Sequence, residues 1–256
     1  MDPHHPYDPP KSDKFQGALT SRAYPERTQR KMNRYDGEIR FLDRQIGALF
    51  AFLRERGLYD DAVIVIVADH GEQFREHEKQ GHGYSLHNVE IHVALLLKAG
   101  GRRGEVERTV SITDIFPTIL ELAGAGPRAN HGESLLDPSP QRLAVLSEQV
   151  GFSLERGNQK AIVDRRGRKL ILGYGEDDWS AVAPETELGT VGMYRSRSDP
   201  FEEKPILDLG LEARLRARFY EAYGKVAERR KGRDVPKVTL EEATVERLRM
   251  LGYVGE

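Results

Sequence analysis

Ala62-Val-Ile-Val-Ile-Val-Ala68 runs directly into Asp69-His70-Gly71-Glu72. The first part is an unbroken apolar run, mostly β-branched and of strand length. Being apolar on both faces, it is expected to be a central strand of a parallel sheet rather than an edge. In open α/β sheets, ligands gather at the carboxyl ends of strands. This strand points its carboxyl end at Asp69 and His70. A carboxylate and an imidazole on adjacent residues just past a strand can face one crevice, and Gly71 lets the backbone turn away. Oxygen and nitrogen donors together suit Mn²⁺, Zn²⁺ or a tolerant Ca²⁺ site. The competing expectation is a plain β-turn in which Asp69 caps the next segment. Two ligands are too few for a tight site, so further donors have to come from elsewhere.

Upstream, Glu26 to Gly57 has helical spacing. Met32, Tyr35, Ile39, Leu42, Ile46, Leu49 and Leu53 step by three and four along one face, and Gly57 is the expected stop. Downstream, Asp69 to Tyr84 is polar and rich in His, Gly and Glu, which predicts a long loop. His92-Val-Ala-Leu-Leu-Leu97 is expected to be a second buried strand, ended by Gly100-Gly101. Thr113 to Gly124 is expected to be a short helix with Pro117 in its first turn. After about Pro140 the character changes. Leu143–Glu148, Gln159–Asp164 and Lys169–Leu172 are short strand-like pieces joined by Gly and Arg turns, which predicts a small antiparallel sheet. Leu207–Arg230 and Leu240–Leu251 have amphipathic helical patterns. The expected organisation is an α/β core over residues 1–140, followed by an α+β subdomain with terminal helices over 141–256.

Composition excludes several classes. Lys+Arg 39 against Asp+Glu 41 gives a formal charge of −2, whereas a general nucleic-acid or anionic-membrane binder is usually basic. No apolar run approaches the roughly 18 residues of a membrane span. With no cysteine in the chain, there is no disulfide, thiolate site or cysteine nucleophile. The compartment is not legible from this. The first ten residues, Met-Asp-Pro-His-His-Pro-Tyr-Asp-Pro-Pro, are neither a signal peptide nor a helix, because four prolines force extended or turn backbone. A Pro/His tail and an internal start within a longer fold both fit that composition.

Eight histidines are present, and four of them, His70, His77, His82 and His87, lie within the predicted loop and just past it. His82, flanked by Gly81 and Gly83, is expected to be exposed and able to reach an anion, or else to be a plain surface residue. His77 and His82 are five apart with a glycine between, which puts them on different helix faces and excludes the zinc-protease pattern. There is no Gly-x-Ser-x-Gly elbow, phosphate-cradling loop or dinucleotide fingerprint.

Taken in order, these segments resemble the sulfatase family of the alkaline phosphatase superfamily. Asp2-Pro-His4-His-Pro6-Tyr7-Asp-Pro-Pro10 resembles its Asp-Pro-His-x-Pro-Tyr-x-Pro-Pro segment. Tyr35-Asp-Gly-Glu-Ile39 through Asp43 and Gly47 resembles its long helix, and Val65–Glu72 its second metal-binding segment. Gly81-His82-Gly83-Tyr-Ser-Leu86 with His92–Leu97 resembles the next active-site segment. Thr113–Ile119 with Gly124, then Gly132-Glu-Ser-Leu135, resembles the end of the catalytic domain. Lys169-Leu-Ile171, Tyr194, and Asp199-Pro200 with Glu202 resemble the C-terminal sheet, and Leu248–Tyr253 a closing segment of some members.

The resemblance implies an alkaline-phosphatase-like α/β fold whose partial, mostly parallel sheet is flanked by helices, with a small C-terminal antiparallel sheet and helices. It implies metal-dependent hydrolysis of small-molecule or carbohydrate sulfate esters. Asp69 and His70 would bind one divalent cation, Ca²⁺ in the first place and Mn²⁺ or Zn²⁺ otherwise. His4 and His82 would contact the transferred anion and the leaving oxygen. Charge spread over a sulfuryl group is stabilised by a cation and imidazolium donors, and a histidine can protonate a departing alkoxide.

The sequence departs from the family at several points. Many members carry Asn where His70 stands, and those with His include phosphonate and phosphodiester hydrolases. Ala94 stands for a common Pro, and His87 for a common Tyr. The family's Cys/Ser-x-Pro-x-Arg nucleophile segment has no counterpart: Ser139 is followed directly by Pro140, and Ser198 by Asp199-Pro200-Phe201. The expectation is therefore an N-terminally incomplete chain, inactive alone, with any signal peptide upstream and with self-association through uncovered apolar strands. A third expectation is a non-catalytic remnant that holds metal or anion.

Overall fold

The structure, a computed structural model, describes residues 3–15, 24–101, 104–126, 132–139, 142–149, 158–174 and 189–230. The predicted helix over 240–251 and the segment 248–253 lie outside the described residues. The chain divides into two compact units. The first comprises residues 1–64, 74–80 and 98–102, and the second residues 65–73, 81–97 and 103–256.

In the first unit, the helical spacing forms α1, Glu26–Glu55. The buried residues of α1 are polar or small, Thr28, Gly37 and Glu38, whereas Ile39 and Leu49 of the apolar stripe are exposed. The Pro-rich opening lies against Gly37 and Glu38. A Cβ at Gly37 would stand 2.7 Å from Pro9 Cγ, so a larger residue there would push the segment off. The Asp8 N–H donates to Glu38 Oε1 at 2.7 Å, and Arg44 pairs with the buried Asp13 at 2.6 Å. Tyr7 is buried among Tyr35 and Phe74, with ring centroids 5.4 and 6.0 Å away. The opening is thus anchored backbone, not a loose tail.

The run Ala62–Ala68 supplies β1, Ile64–Val67. The polar segment after it carries β2 (Gln73–Phe74), a 3-10 turn at Glu76–Glu78 and β3 (Gln80–Gly81). Next come α2 (Asn88–Ile91) and β4 (Leu95–Lys98). His92, Val93 and Ala94 therefore precede the strand instead of opening it.

Two expectations fail here. The β1–β4 pair is a two-stranded sheet, and no parallel sheet is present among the described residues. The Ala68 N–H donates to Ala94 O at 3.1 Å, so the end of β1 meets the start of β4, as in an antiparallel pair. The strands are also not fully buried, because Val67 and Leu96 are 42% and 56% exposed. An apolar run specifies what a strand can bury, and neighbours decide whether it is covered.

The C-terminal sheet of the second unit is more completely packed. Ile112–Asp114 and α3 (Ile115–Leu122) form the expected short helix. β5 (Ala144–Gln149), β6 (Asn158–Asp164), β7 (Arg168–Tyr174) and β8 (Gly189–Arg195) form one antiparallel sheet in that order. β8 was not read as a strand from its pattern, although the resemblance put Tyr194 in this sheet. α4, Leu209–Arg230, closes the described chain. Alternation along the strands divides the core. Ile162, Leu170, Leu172 and Met193 face Leu211, Leu215 and Phe219 of α4. Ala161, Ile171 and Tyr194 face Leu86 and Ile91. The segment bearing His82 therefore rests on the sheet face opposite α4.

Candidate functional site

Asp69, His70, Glu72 and His82 all belong to the second unit, and the structure brings their side chains together. The Asp69 carboxylate accepts the His70 N–H through Oδ1 at 3.0 Å. Its other oxygen, Oδ2, lies 3.8 Å from His70 Nε2. His70 Nδ1 is 2.9 Å from Gly71 O. A carbonyl only accepts, so Nδ1 donates, and Nε2 is the ring nitrogen left on the side of Asp69 Oδ2. Two donors that each bind a cation at roughly 2.0–2.2 Å are at most about 4.4 Å apart, so 3.8 Å is within span. The spacing of these two donors therefore permits a shared cation, and two donors do not make a full ligand set. Among the described residues, no cluster of three or more His, Asp or Glu is placed to hold a metal.

The His82 ring stacks on His70, with centroids 4.0 Å apart and planes at 28°. Its Nδ1 lies 3.4 Å from both oxygens of Glu72, whose side chain is only 4% exposed. His82 was expected to be exposed and mobile, but its side chain is 19% exposed and held between a carboxylate and a second imidazole. Gly83, at φ +76°, provides the left-handed turn after it.

The loops are fixed by Glu90, which the sequence reading missed. Its buried carboxylate accepts the N–H groups of Gly83 at 2.5 Å, Tyr84 at 3.2 Å and Ser85 at 3.0 Å, and the Ser85 hydroxyl at 3.1 Å. Burial pushes its pKa up, against the lowering effect of those donors. Its carbonyl accepts the Gly71 N–H at 2.7 Å. Glu90 thus joins the loop of Asp69 and His70 to the loop of His82. Glu72 and Glu90 carried no local sequence signal beyond being acidic residues near histidines.

Gly71 was expected to serve a sharp turn, and the structure shows another reason. A Cβ there would lie 2.1 Å from Val89 O, so only glycine permits the approach. Behind the loop, the fully buried Lys169 donates to Leu86 O at 3.0 Å and Asn88 Oδ1 at 2.7 Å, and pairs with Glu202 at 2.8 Å. Glu202 also accepts the Asn88 N–H at 2.9 Å. The antiparallel sheet thereby holds the segment that follows His82.

His4 belongs to the first unit. Its Nδ1 donates to His5 O at 2.8 Å. His77 sits at φ 50° in the 3-10 turn, and His87 is buried with Nε2 3.4 Å from Tyr194 OH.

Comparison with known proteins identifies the class. The sulfatase family model matches residues 1–125, and over that segment the sequence is that of the sulfatase family. Over 108 residues it is 41% identical to a multifunctional alkaline phosphatase superfamily protein of Trinickia caryophylli, an alignment covering 40% of this chain and 21% of that protein. Over 102 residues it is 32% identical to arylsulfatase K of Homo sapiens, covering 39% and 19%. The chain thus spans about a fifth of the length of these relatives.

Among solved structures, it resembles the phosphonate monoester hydrolase of Agrobacterium radiobacter, with a TM-score of 0.60, 24% identity, and 79% of this chain and 42% of that one covered. It also resembles a protein solved with its substrate D-glucosamine-2-N,6-O-disulfate, at TM-score 0.60 and 21% identity, covering 81% and 42%. Identities this low establish the fold, which is alkaline-phosphatase-like.

Proposed function

We propose that this chain carries the cation- and anion-binding portion of a sulfate-ester hydrolase. Asp69 and His70 hold one divalent cation, Ca²⁺ or alternatively Mn²⁺ or Zn²⁺. When bound, that cation supplies a positive charge that polarises the ester oxygens. His82 faces the same crevice as an anion contact and proton donor, with Glu72 aligning its ring. His4 has the anion-contacting role that the family resemblance gives it. Residues 1–140 are read as catalytic-domain sequence and 141–256 as the C-terminal α+β subdomain. The observation that carries this proposal is His70 Nε2 standing 3.8 Å from Asp69 Oδ2 with the His82 ring stacked on His70.

No serine of the chain precedes x-Pro-x-Arg, so the nucleophile is not assigned to any of its residues. Calorimetric titration with Ca²⁺ and Mn²⁺ tests the proposal. Micromolar binding that is lost in Asp69→Asn supports it. The absence of heat at millimolar metal overturns it and favours a non-catalytic remnant.

A phosphonate or phosphodiester substrate is the second reading. It is favoured by His70, and by the relatives whose names are phosphonate hydrolase and alkaline phosphatase superfamily protein. Comparing aryl sulfate with aryl phosphonate turnover by the protein separates the two.

A further inference from the structure

The chain leaves the His82 ring through a glycine. The φ and ψ of Gly83 set the direction of that exit, and glycine has the widest choice of both. The peptide groups on either side of Gly83 are therefore the ones that have to be held. The Gly83 N–H donates to Glu90 Oε2 at 2.5 Å, and the Gly83 carbonyl accepts from Gln149 Nε2 at 2.6 Å. With both fixed, Gly83 is kept at φ +76° and the His82 ring is kept on His70. A binding side chain has to be held within about 0.5 Å of its productive position by partners of this kind.

Gln149 is the last residue of β5, and its antiparallel partner on β6 is Gln159. Directly opposed residues of such a pair share one face of the sheet. This is the face on which Ala161 and Ile171 meet Leu86. Gln159 Oε1 accepts the Leu86 N–H at 3.0 Å, and Lys169 donates to the Leu86 carbonyl at 3.0 Å. The two glutamines thus grip one loop at Gly83 and at Leu86, from 66 and 73 positions further along the chain.

The amide of Gln149 has one useful orientation. A carbonyl only accepts, so the NH₂ end has to face Gly83 O. That leaves Gln149 Oε1 buried with no hydrogen-bond partner among the described residues. A buried acceptor without a donor is costly. Turning the amide over would take this donor away from Gly83 O. The observed orientation therefore serves the loop and leaves the side chain's own oxygen unsatisfied.

We infer that Gln149 is a positioning residue for His82, with Gln159 assisting at Leu86, so that the C-terminal sheet sets how this imidazole meets His70. The ring placement stands on geometry alone. Its consequence for anion binding rests on the reading of His82 as the anion contact.

The test applies histidine ring-proton NMR and calorimetry to the full chain. The parent shows a nuclear Overhauser contact between the His70 and His82 rings. Gln149→Met replaces the amide by an apolar chain of similar length, and Gln149→Glu keeps the shape while removing the donor. Each loses roughly half or more of the inter-ring contact with circular dichroism unchanged, and the second variant decides if the first does not fold. Leu146→Ala, on the same strand but packed on the α4 side, lowers the melting temperature and keeps the contact. Inorganic sulfate binds Gln149→Met roughly fivefold more weakly, the equivalent of one hydrogen bond. Ca²⁺ affinity changes less than about twofold, because the Asp69–His70 loop is held by the Glu90 carbonyl on the Gly71 N–H. Loss of the ring contact in the variants of a parent that binds no sulfate supports the positioning role and refutes the anion reading. Absence of the contact from the parent, its persistence in a folded Gln149 variant, or an equal loss in Leu146→Ala overturns the proposal.

Discussion

Gly71 and Glu90 decide how the candidate site is assembled. The close approach of Gly71 to Val89 O leaves no room for a methyl group. Gly71→Ala is expected to destabilise the second unit by about 3 kcal/mol through overpacking and to weaken cation binding along with it. Chemical denaturation and metal titration of one sample would check both effects.

Asp114 offers a pH test. Burial alone would raise its pKa, but the paired Arg142 guanidinium and the N–H groups of Ser111 and Glu133 hold it below the ordinary carboxylate value. A depressed folded value means that the stabilisation is complete above the unfolded value of roughly 3.9, and is lost as pH falls through the folded one. The melting temperature should therefore drop on acidification below about pH 4. Asp114→Asn should be less stable at neutral pH by about 3 kcal/mol, because it leaves Arg142 unpaired, and its melting temperature should change less with acid. A steeper acid dependence in the variant would contradict this account.

The strands and helices differ in how completely they are covered. In the β5–β8 sheet, Ile162, Leu170, Leu172 and the α4 residues Leu211, Leu215 and Phe219 are each 3% exposed or less. Leu215→Ala opens a cavity in that packing and should cost about 3 kcal/mol in a denaturant titration. On the other face, Lys169 and Glu202 place a buried ion pair between the sheet and the His82 segment. Glu202 adopts φ +56°, unusual for a residue with a Cβ, and its bonds to Asn88, Ser196 and Lys169 hold it there. α3 and the β1–β4 pair, in contrast, leave Phe116, Val67 and Leu96 substantially exposed.

Those exposed side chains belong to the scale of the whole molecule, where they are expected to drive association. Uncovered apolar strand and helix surface promotes association. Sedimentation velocity should show concentration-dependent self-association of this chain. Leu96→Lys should shift the distribution towards monomer while changing stability by no more than about 0.5 kcal/mol. A concentration-independent monomer would count against this.

Periodicity and local chemistry determined most of the elements. α1 begins at Glu26 as its spacing required, and β5, β6, β7 and α4 fall where β alternation and helical spacing put them. The adjacency of Asp69 and His70 after an apolar strand was legible because it is local in sequence. Tertiary packing alone decided that β1 pairs with β4 in a small, partly exposed sheet, since an apolar run does not specify its neighbours. It likewise decided that His82 is stacked and half-buried, and that Glu72, Glu90 and Lys169 serve the site. Their partners lie 10, 5–7 and 81–83 positions away in the chain. Contacts across such separations depend on how the loops cross, which short-range spacing does not encode.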